Sequence, residues 1–223
     1  MEQKRTGETI SIQTFRRLPY YLEYLKGLRA KGIDVVSSPT VAAYFHYSEI
    51  QVRKDFAAVA SVPGKPRHGF DIPDMICAIE TMLGYHNAND AVLVGAGSLG
   101  HALLSYGGFR DYGLHIVAAF DTDPGLIATE ISRISILSAA KISDLCRRLR
   151  IHIGIITVPA ASAQQVCDQL IAGGIQAIWN FSPVHLSVPE GILVQNENMA
   201  ASLALLSRHL SEKIDGGSLP ENP

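Results

Sequence analysis

Cysteine is scarce. The 223 residues include three, Cys77, Cys146 and Cys167, widely separated and in no CxxC pair. An odd, scattered set argues against a disulfide framework or a thiolate metal site. All three are expected to be buried as small hydrophobes, so redox sensing through thiols is not expected. Long apolar runs are missing too: nothing approaches the roughly 18 uninterrupted residues that a membrane span needs. The opening MEQKRTGETISIQ is polar and lacks the apolar core of a signal peptide, so a cytoplasmic address and no membrane partner are expected.

What is present is the composition of a globular chain, 47% hydrophobic and 18% charged, of a size for one or two domains. The net charge of −2 hides an asymmetry. Residues 1–70 carry eleven Lys/Arg and six Asp/Glu, a net of +5, and the remainder carries −7. A basic head on an acidic body implies that only the head meets a polyanion.

In that head, Leu18, Tyr21, Leu22, Leu25 and Leu28 recur at helical spacing, which predicts one helix from Thr14 to Arg29. Pro19 is awkward inside it and suggests that the helix begins near that residue. Ser38-Pro39 predicts the start of a short second helix, with Ser38 as N-cap. His46-Tyr47 then makes a tight turn. Ser48 with Gln51 three residues on has the form of a capping box opening a third helix. Val52, Phe56 and Val59 fall on its inner side, leaving Gln51, Arg53 and Lys54 facing outward. Two short helices around a tight turn fit a helix-turn-helix. Arg can bridge guanine N7 and O6, Gln can pair with adenine, and Lys can neutralise phosphate. The competing account is the solvated face of an ordinary helical bundle. The stretch Val62-Pro63-Gly64-Lys65-Pro66-Arg67-His68-Gly69-Phe70 forbids helix and places a hairpin wing after the third helix. Lys65 and Arg67 at its tip suit a minor groove.

The second half opens with a short apolar strand, Ala91–Val94. It runs into Gly95-Ala96-Gly97-Ser98-Leu99-Gly100 and then a helical segment. This is GxGxxG between a strand and a helix, where the glycines allow a tight turn and a close approach of pyrophosphate to the helix N-terminus. A second strand, His115–Phe120, ends in Asp121. That residue lies 26 positions after Gly95, against an expected spacing of roughly 20 after the loop. Asp121 is placed to accept hydrogen bonds from ribose hydroxyls. Its charge repels a 2′-phosphate, which favours NAD(H) over NADP(H). Strands predicted at 151–158, 177–181 and 192–195 alternate with helices near 141–150 and 160–173, as in a parallel Rossmann-like sheet. Thr157-Val158-Pro159 and Asn180-Phe181-Ser182-Pro183 fall at strand C-termini, where such sheets bind ligands. Ordinary strand-exit turns remain the alternative there.

Taken together, six segments resemble the Rex family of redox-sensing repressors, in family order over about residues 14–212. They are Arg17–Tyr21, Ser48–Asp55, Val94–Gly100, Ala119–Pro124, Thr157–Ala160 and Asn180–Val184. The resemblance implies a homodimer on an inverted-repeat DNA operator. It implies a winged helix-turn-helix domain (1–85), a Rossmann NAD(H)-binding domain (86–197), and a C-terminal helix (198–214) exchanged with the partner. A disordered tail (215–223) is expected to follow. It also implies release of DNA when NADH binds. Where relatives commonly have Asp-Phe, this chain has Asn198-Met199. The acid of those relatives interacts with an arginine and a tyrosine matching Arg17 and Tyr106, so coupling between cofactor and DNA is expected to be weaker here. The wing sequence also departs from the family pattern.

Two other functions stay open at this point. A dehydrogenase would need a substrate domain, for which little chain remains after the sheet. It would also need a placed acid–base residue, and His101, His115, His152, His185 and His209 form no motif with a nucleophile or acid. A CoA- or other nucleotide-binding regulator is the second, although CoA carries a 3′-phosphate that Asp121 would repel.

Overall fold

A computed structural model of the chain describes residues 10–60, 69–86 and 89–214. The chain divides into two compact units, Met1–Asn87 and Ala88–Pro223.

In the first unit, α1 spans Ile12–Ala30, capped by Ser11, whose Oγ accepts from the Thr14 amide at 3.1 Å. Pro19 lies well inside this helix, contrary to the expectation that the helix starts there. The lost backbone bond is outweighed by anchors on both sides of the proline. Leu18, Tyr21, Leu22 and Leu25 are fully buried, and Thr14 and Arg17 are bonded to a buried acid. A two-residue strand, β1 (Val35–Val36), precedes α2 (Ser38–Phe45). The cap of α2 is Ser37, one residue earlier than expected, with Pro39 in the first turn. His46 closes α2 in the left-handed region, φ 56°. The third helix, α3 (Glu49–Val59), follows with Ser48 as its cap. Ser48 Oγ accepts from the Gln51 amide at 3.2 Å. Val52, Phe56 and Val59 are buried as their spacing requires.

Strand β2 (Phe70–Asp71) pairs antiparallel with β1. Next comes α4 (Ile72–Leu83), which the sequence reading did not assign. Its Ile72, Met75, Ile76 and Ile79 join the core of α1 and α3. Cys77, expected to be buried, is exposed, because it falls just outside that apolar stripe. Residues 62–68 of the proposed wing, with Lys65 and Arg67, lie outside the described residues, as does the tail from 215, and Phe70 at its end lies in β2.

The second unit is built on a seven-stranded sheet. Its strands are β3 (Asn89–Val94), β4 (Leu114–Asp121), β5 (Glu130–Ile131), β6 (Ile134–Ser138), β7 (Ile153–Ile156), β8 (Ala177–Asn180) and β9 (Leu193–Asn196). Their order is β5-β6-β4-β3-β7-β8-β9, parallel throughout except for the β5–β6 hairpin. That hairpin was not expected. Its two turn residues, Ser132 and Arg133, both have positive φ, a conformation usually signalled by Asn or Gly. Along β3, Val92 and Val94 enter one core, and Ala91 and Leu93 the other. A strand covered on both faces therefore reads as a continuous apolar run. Helices α5 (Ser98–Ser105), α6 (Ile142–Leu149) and α7 (Ala160–Ala172) supply the connections. Cys146 and Cys167 are buried as expected. Burial pushes the Cys146 thiol up to about 11. The last helix, α8 (Met199–Ile214), has no buried residue; its Met199, Leu203, Leu206 and Leu210 are all more than half exposed.

Candidate functional site

The register of the sheet sets the geometry of the second unit. Phe120, Val94, Ile156, Asn180 and Asn196 pair across adjacent strands as one row. One residue beyond that row lie Asp121, Gly95 and Thr157, so three segments far apart in sequence converge at one edge. This is also where the chain order reverses: β4 lies on one side of β3 and β7 on the other. A crevice at such a point is the usual ligand site of an open parallel sheet.

The crevice is a cleft of about 420 Å³ lined by Gly95, Gly97, Asp121, Thr157, Val158 and Pro159, among others. Its three glycines do different work. Gly95 has φ +100°, and a Cβ there would meet the Thr157 backbone at 2.9 Å. A Cβ on Gly100 would lie 1.9 Å from the Gly95 oxygen. A Cβ on Gly97 would meet nothing within 4 Å. Two glycines thus permit the turn to pack, and the third faces open space. Gly97 is also the N-cap of α5 and has no side chain to satisfy the first amides of that helix. The Ser98, Leu99 and Gly100 amides are left to an anion from outside. Ala96 is buried behind them, and Leu99 is half-buried.

Asp121 is held in place by the backbone. Its Oδ2 accepts from the Ala96 amide at 2.7 Å, and Oδ1 accepts from Thr122 and Asp123 at 2.7 and 2.8 Å. A carboxylate accepts about four hydrogen bonds, so Oδ2 keeps acceptor capacity toward the cleft. Thr157 Oγ1 donates to the Gly95 and Val94 carbonyls at 2.6 and 3.0 Å, clamping the turn to β7. Asn180 and Ser182 are buried and do not line the cleft. Ser182 Oγ donates to the Val158 carbonyl at 2.5 Å, so the pair supports the cleft wall from behind.

The sequence reading missed part of the lining. Ala139 and Ala140 follow β6, beside Asp121, and offer a small apolar wall next to it. Ser162, Gln165 and Gln169 face the cleft from α7. Their spacing of three and seven residues marks a polar stripe beside the buried Ala163, Cys167 and Leu170. Together, the uncapped helix start, the open glycine, the oriented carboxylate and the apolar turn fit a dinucleotide.

In the first unit, the outward side of α3 carries Arg53 and Lys54, both exposed. Arg53 is 67% exposed and ion-paired with Glu49 one turn earlier. Gln51 is only half-buried. With its amide oxygen turned inward, it accepts from Arg17 Nη1 at 2.9 Å. The organising group of α3 is one that the sequence reading did not single out, Asp55. Only 3% exposed, Asp55 accepts from Arg17 Nε and Nη2 at 2.8 Å each, and from Thr14 Oγ1 and Tyr21 Oη at 2.9 Å each. The Asp55 carboxylate raises the pKa of Arg17. Burial, then Asp55, raises that of Tyr21. Three residues of α1 therefore fix the pose of α3 through one carboxylate.

Of the three proposed coupling residues, Arg17 has its charge partner within the first unit. Tyr106 is half exposed in the second unit, its ring edge-on to Phe109 at 5.0 Å. Asn198 Oδ1 accepts from the Ala201 amide at 3.0 Å, capping α8.

Residues 86–184 match a family model described as a CoA binding domain, and residues 9–57 match one described as a putative DNA-binding protein N-terminus. The chain is 44% identical over 193 residues to the redox-sensing transcriptional repressor Rex of Porphyromonas gingivalis, covering 86% of this chain and 88% of that protein. It is 38% identical over 209 residues to Rex of Bacteroides fragilis, covering 94% of each. Among solved structures it resembles RSP, a Rex-family repressor, in complex with β-NAD⁺ and operator DNA. The TM-score is 0.84 at 28% identity, covering 96% of this chain and 100% of that one. The β-NADH complex of RSP gives 0.82 at 28% identity, covering 93% and 97%. Fold and sites define a DNA-binding transcription regulator with a nucleotide-binding body. The chain belongs to the Rex family of redox-sensing transcriptional repressors.

Proposed function

We propose that this chain represses transcription by binding operator DNA through α3, and that it releases the operator when NADH occupies the cleft, so that it reads the NADH/NAD⁺ ratio. It is a regulator and not an enzyme. The observation that carries the reading is the pairing of the open Gly97, at the uncapped start of α5, with the backbone-fixed Asp121. The first receives pyrophosphate, and the second receives ribose hydroxyls. Thr157 and Ser182 hold the opposite wall, and Ala139 and Ala140 flank the base. The nicotinamide ring supplies the difference in charge and shape between the two redox forms.

The exposed apolar face of α8 supports a homodimer in which a partner covers this helix, since such a face needs a surface to bury it. A two-fold dimer selects an inverted repeat. A cytoplasmic address fits this role, and no helix among the described residues is long and apolar enough to cross a membrane. The description of the matching 86–184 model keeps CoA as the competing ligand. Asp121 disfavours CoA, because its carboxylate faces the ribose position that carries phosphate in that molecule.

Calorimetry with NADH, NAD⁺, NADPH and CoA tests the reading. NADH is expected to bind more tightly than NADPH and CoA. Asp121→Ala removes both an acceptor and a repulsive charge, and is expected to narrow the gap to NADPH. Equal affinities of the unsubstituted chain for NADH and NADPH would remove Asp121 from the ribose site.

A further inference from the structure

Resting on the reading of the cleft as the cofactor site, we infer that Asn180 is a positioning residue that ties the cleft wall to the root of α8. Asn180 lies in register between Ile156, which is buried and apolar, and Asn196, which is exposed. It is 0% exposed. A buried amide costs free energy unless its hydrogen bonds are made, and packing alone would be served by an apolar side chain of similar size. Asn180 makes its bonds in two directions.

Toward the cleft, Oδ1 accepts from the Ser182 amide at 3.0 Å, and Nδ2 faces the Val184 carbonyl at 2.9 Å. These bonds shape the loop from which Ser182 Oγ reaches the Val158 carbonyl. Toward α8, Nδ2 donates to Asn196 Oδ1 on β9 at 2.8 Å. The Asn180 carbonyl accepts from the Glu197 amide at 2.8 Å. The neighbouring Trp179, on the other face of the sheet, donates Nε1 to Glu197 Oε1 at 2.9 Å. One residue later, Asn198 caps α8. From Val158 in the cleft wall to the first turn of α8, every step is therefore a hydrogen bond or a covalent neighbour. A shift of the wall on cofactor binding is passed through Asn180 to the orientation of the helix.

The weak point of this path is Asn196, which is exposed. Removing its oxygen leaves the Asn180 amide the Ser182 and Val184 carbonyls as acceptors, so Asn196→Ala removes the side-chain branch of the link to α8 without orphaning a buried group and leaves the main-chain bond from the Glu197 amide in place. Asn196→Asp keeps the acceptor. In the full-length chain, three quantities are to be measured. They are NADH affinity by calorimetry, operator affinity with NADH and with NAD⁺ by gel shift, and the emission of Trp179, the single tryptophan, on adding NAD⁺. Asn196→Ala is expected to bind NADH within about threefold of the unsubstituted chain. Its NADH-to-NAD⁺ operator affinity ratio is expected to move toward one by about threefold to thirtyfold, as for residues that carry coupling between sites. Its Trp179 response is expected to be reduced, and Asn196→Asp is expected to keep both responses. Ser182→Ala in the Asn196→Ala background is expected to lower the operator response by less than it does alone, because both lie on one path. An unsubstituted response in Asn196→Ala, or simple addition of the two effects, overturns the inference alone. An unsubstituted chain whose operator binding ignores NADH overturns the functional reading beneath it.

Discussion

The two units orient their functional groups by different means. In the nucleotide unit the site is set by the backbone: strand register brings Gly95, Asp121 and Thr157 to one edge, and main-chain amides fix Asp121. In the DNA-binding unit the pose of α3 depends on one side chain, Asp55, which gathers partners 34 to 41 residues away. A backbone-built site tolerates side-chain change and fails when the backbone cannot close. A side-chain-built one fails when a single atom group is removed. Substitutions in the two units are therefore expected to fail in these two different ways.

The largest effect is expected from Asp55→Ala. Removing one partner of a buried ion pair costs about 3–5 kcal/mol, and here the Tyr21 hydroxyl loses its partner too. Thermal unfolding should show the first unit melting early, with NADH binding retained by the second. Loss of both together would show that the units are not independently stable. Gly100→Ala is expected to come next, at about 3 kcal/mol of overpacking, since its Cβ would strike the Gly95 oxygen. Gly97→Ala sharpens the point: melting should change by less than about 1 kcal/mol, while NADH affinity falls at least about tenfold. Unchanged NADH binding in Gly97→Ala would deny the phosphate a place at α5.

Arg53→Ala is expected to weaken operator binding by about 1–3 kcal/mol and to relax base preference. Its ion pair with Glu49 is exposed and contributes little to stability, so the melt should not move. Operator titrations at fixed salt decide this. Alkaline pH gives the smallest effect. The Tyr21 phenol is raised from 10.0 and the Cys146 thiol from 9.0. Both favour the neutral form in the folded state. Their contribution to stability is complete below the unfolded values and is lost as pH rises through the folded ones. Denaturant melts should therefore show the nucleotide unit weakening first, between pH 9.0 and about 11. The Tyr21 contribution in the DNA-binding unit should fade only above 10.0.

The same contrast explains what was legible in the sequence. The glycine turn, Asp121 and Thr157-Val158-Pro159 could be read because local backbone demands leave local residue signatures. Asp55 was passed over because nothing near it in sequence marks it as buried. Its partners belong to another helix, α1. Gln51 shows the same blindness, turning toward Arg17 on α1 where helical spacing alone pointed it to solvent. The β5–β6 hairpin escaped because Ser132 and Arg133 adopt positive φ without the usual residues. Cys77 is exposed although cysteine is commonly buried, because its place on α4 lies off the stripe of Ile72, Met75, Ile76 and Ile79.

Asp121 has a further consequence for the protein as a gauge. The adenosine half that Asp121 and the glycine turn would hold is the same molecule in NAD⁺ and NADH. A carboxylate fixed by three amides would there supply grip on both and information about neither. Strengthening that grip would keep the cleft filled when the total pool is low, and would leave the reading of the ratio untouched. Whatever separates the two forms has to come from contacts to the other half of the dinucleotide. On that reading the carboxylate that the backbone fixes is a handle, and the two redox forms are told apart elsewhere in the cleft.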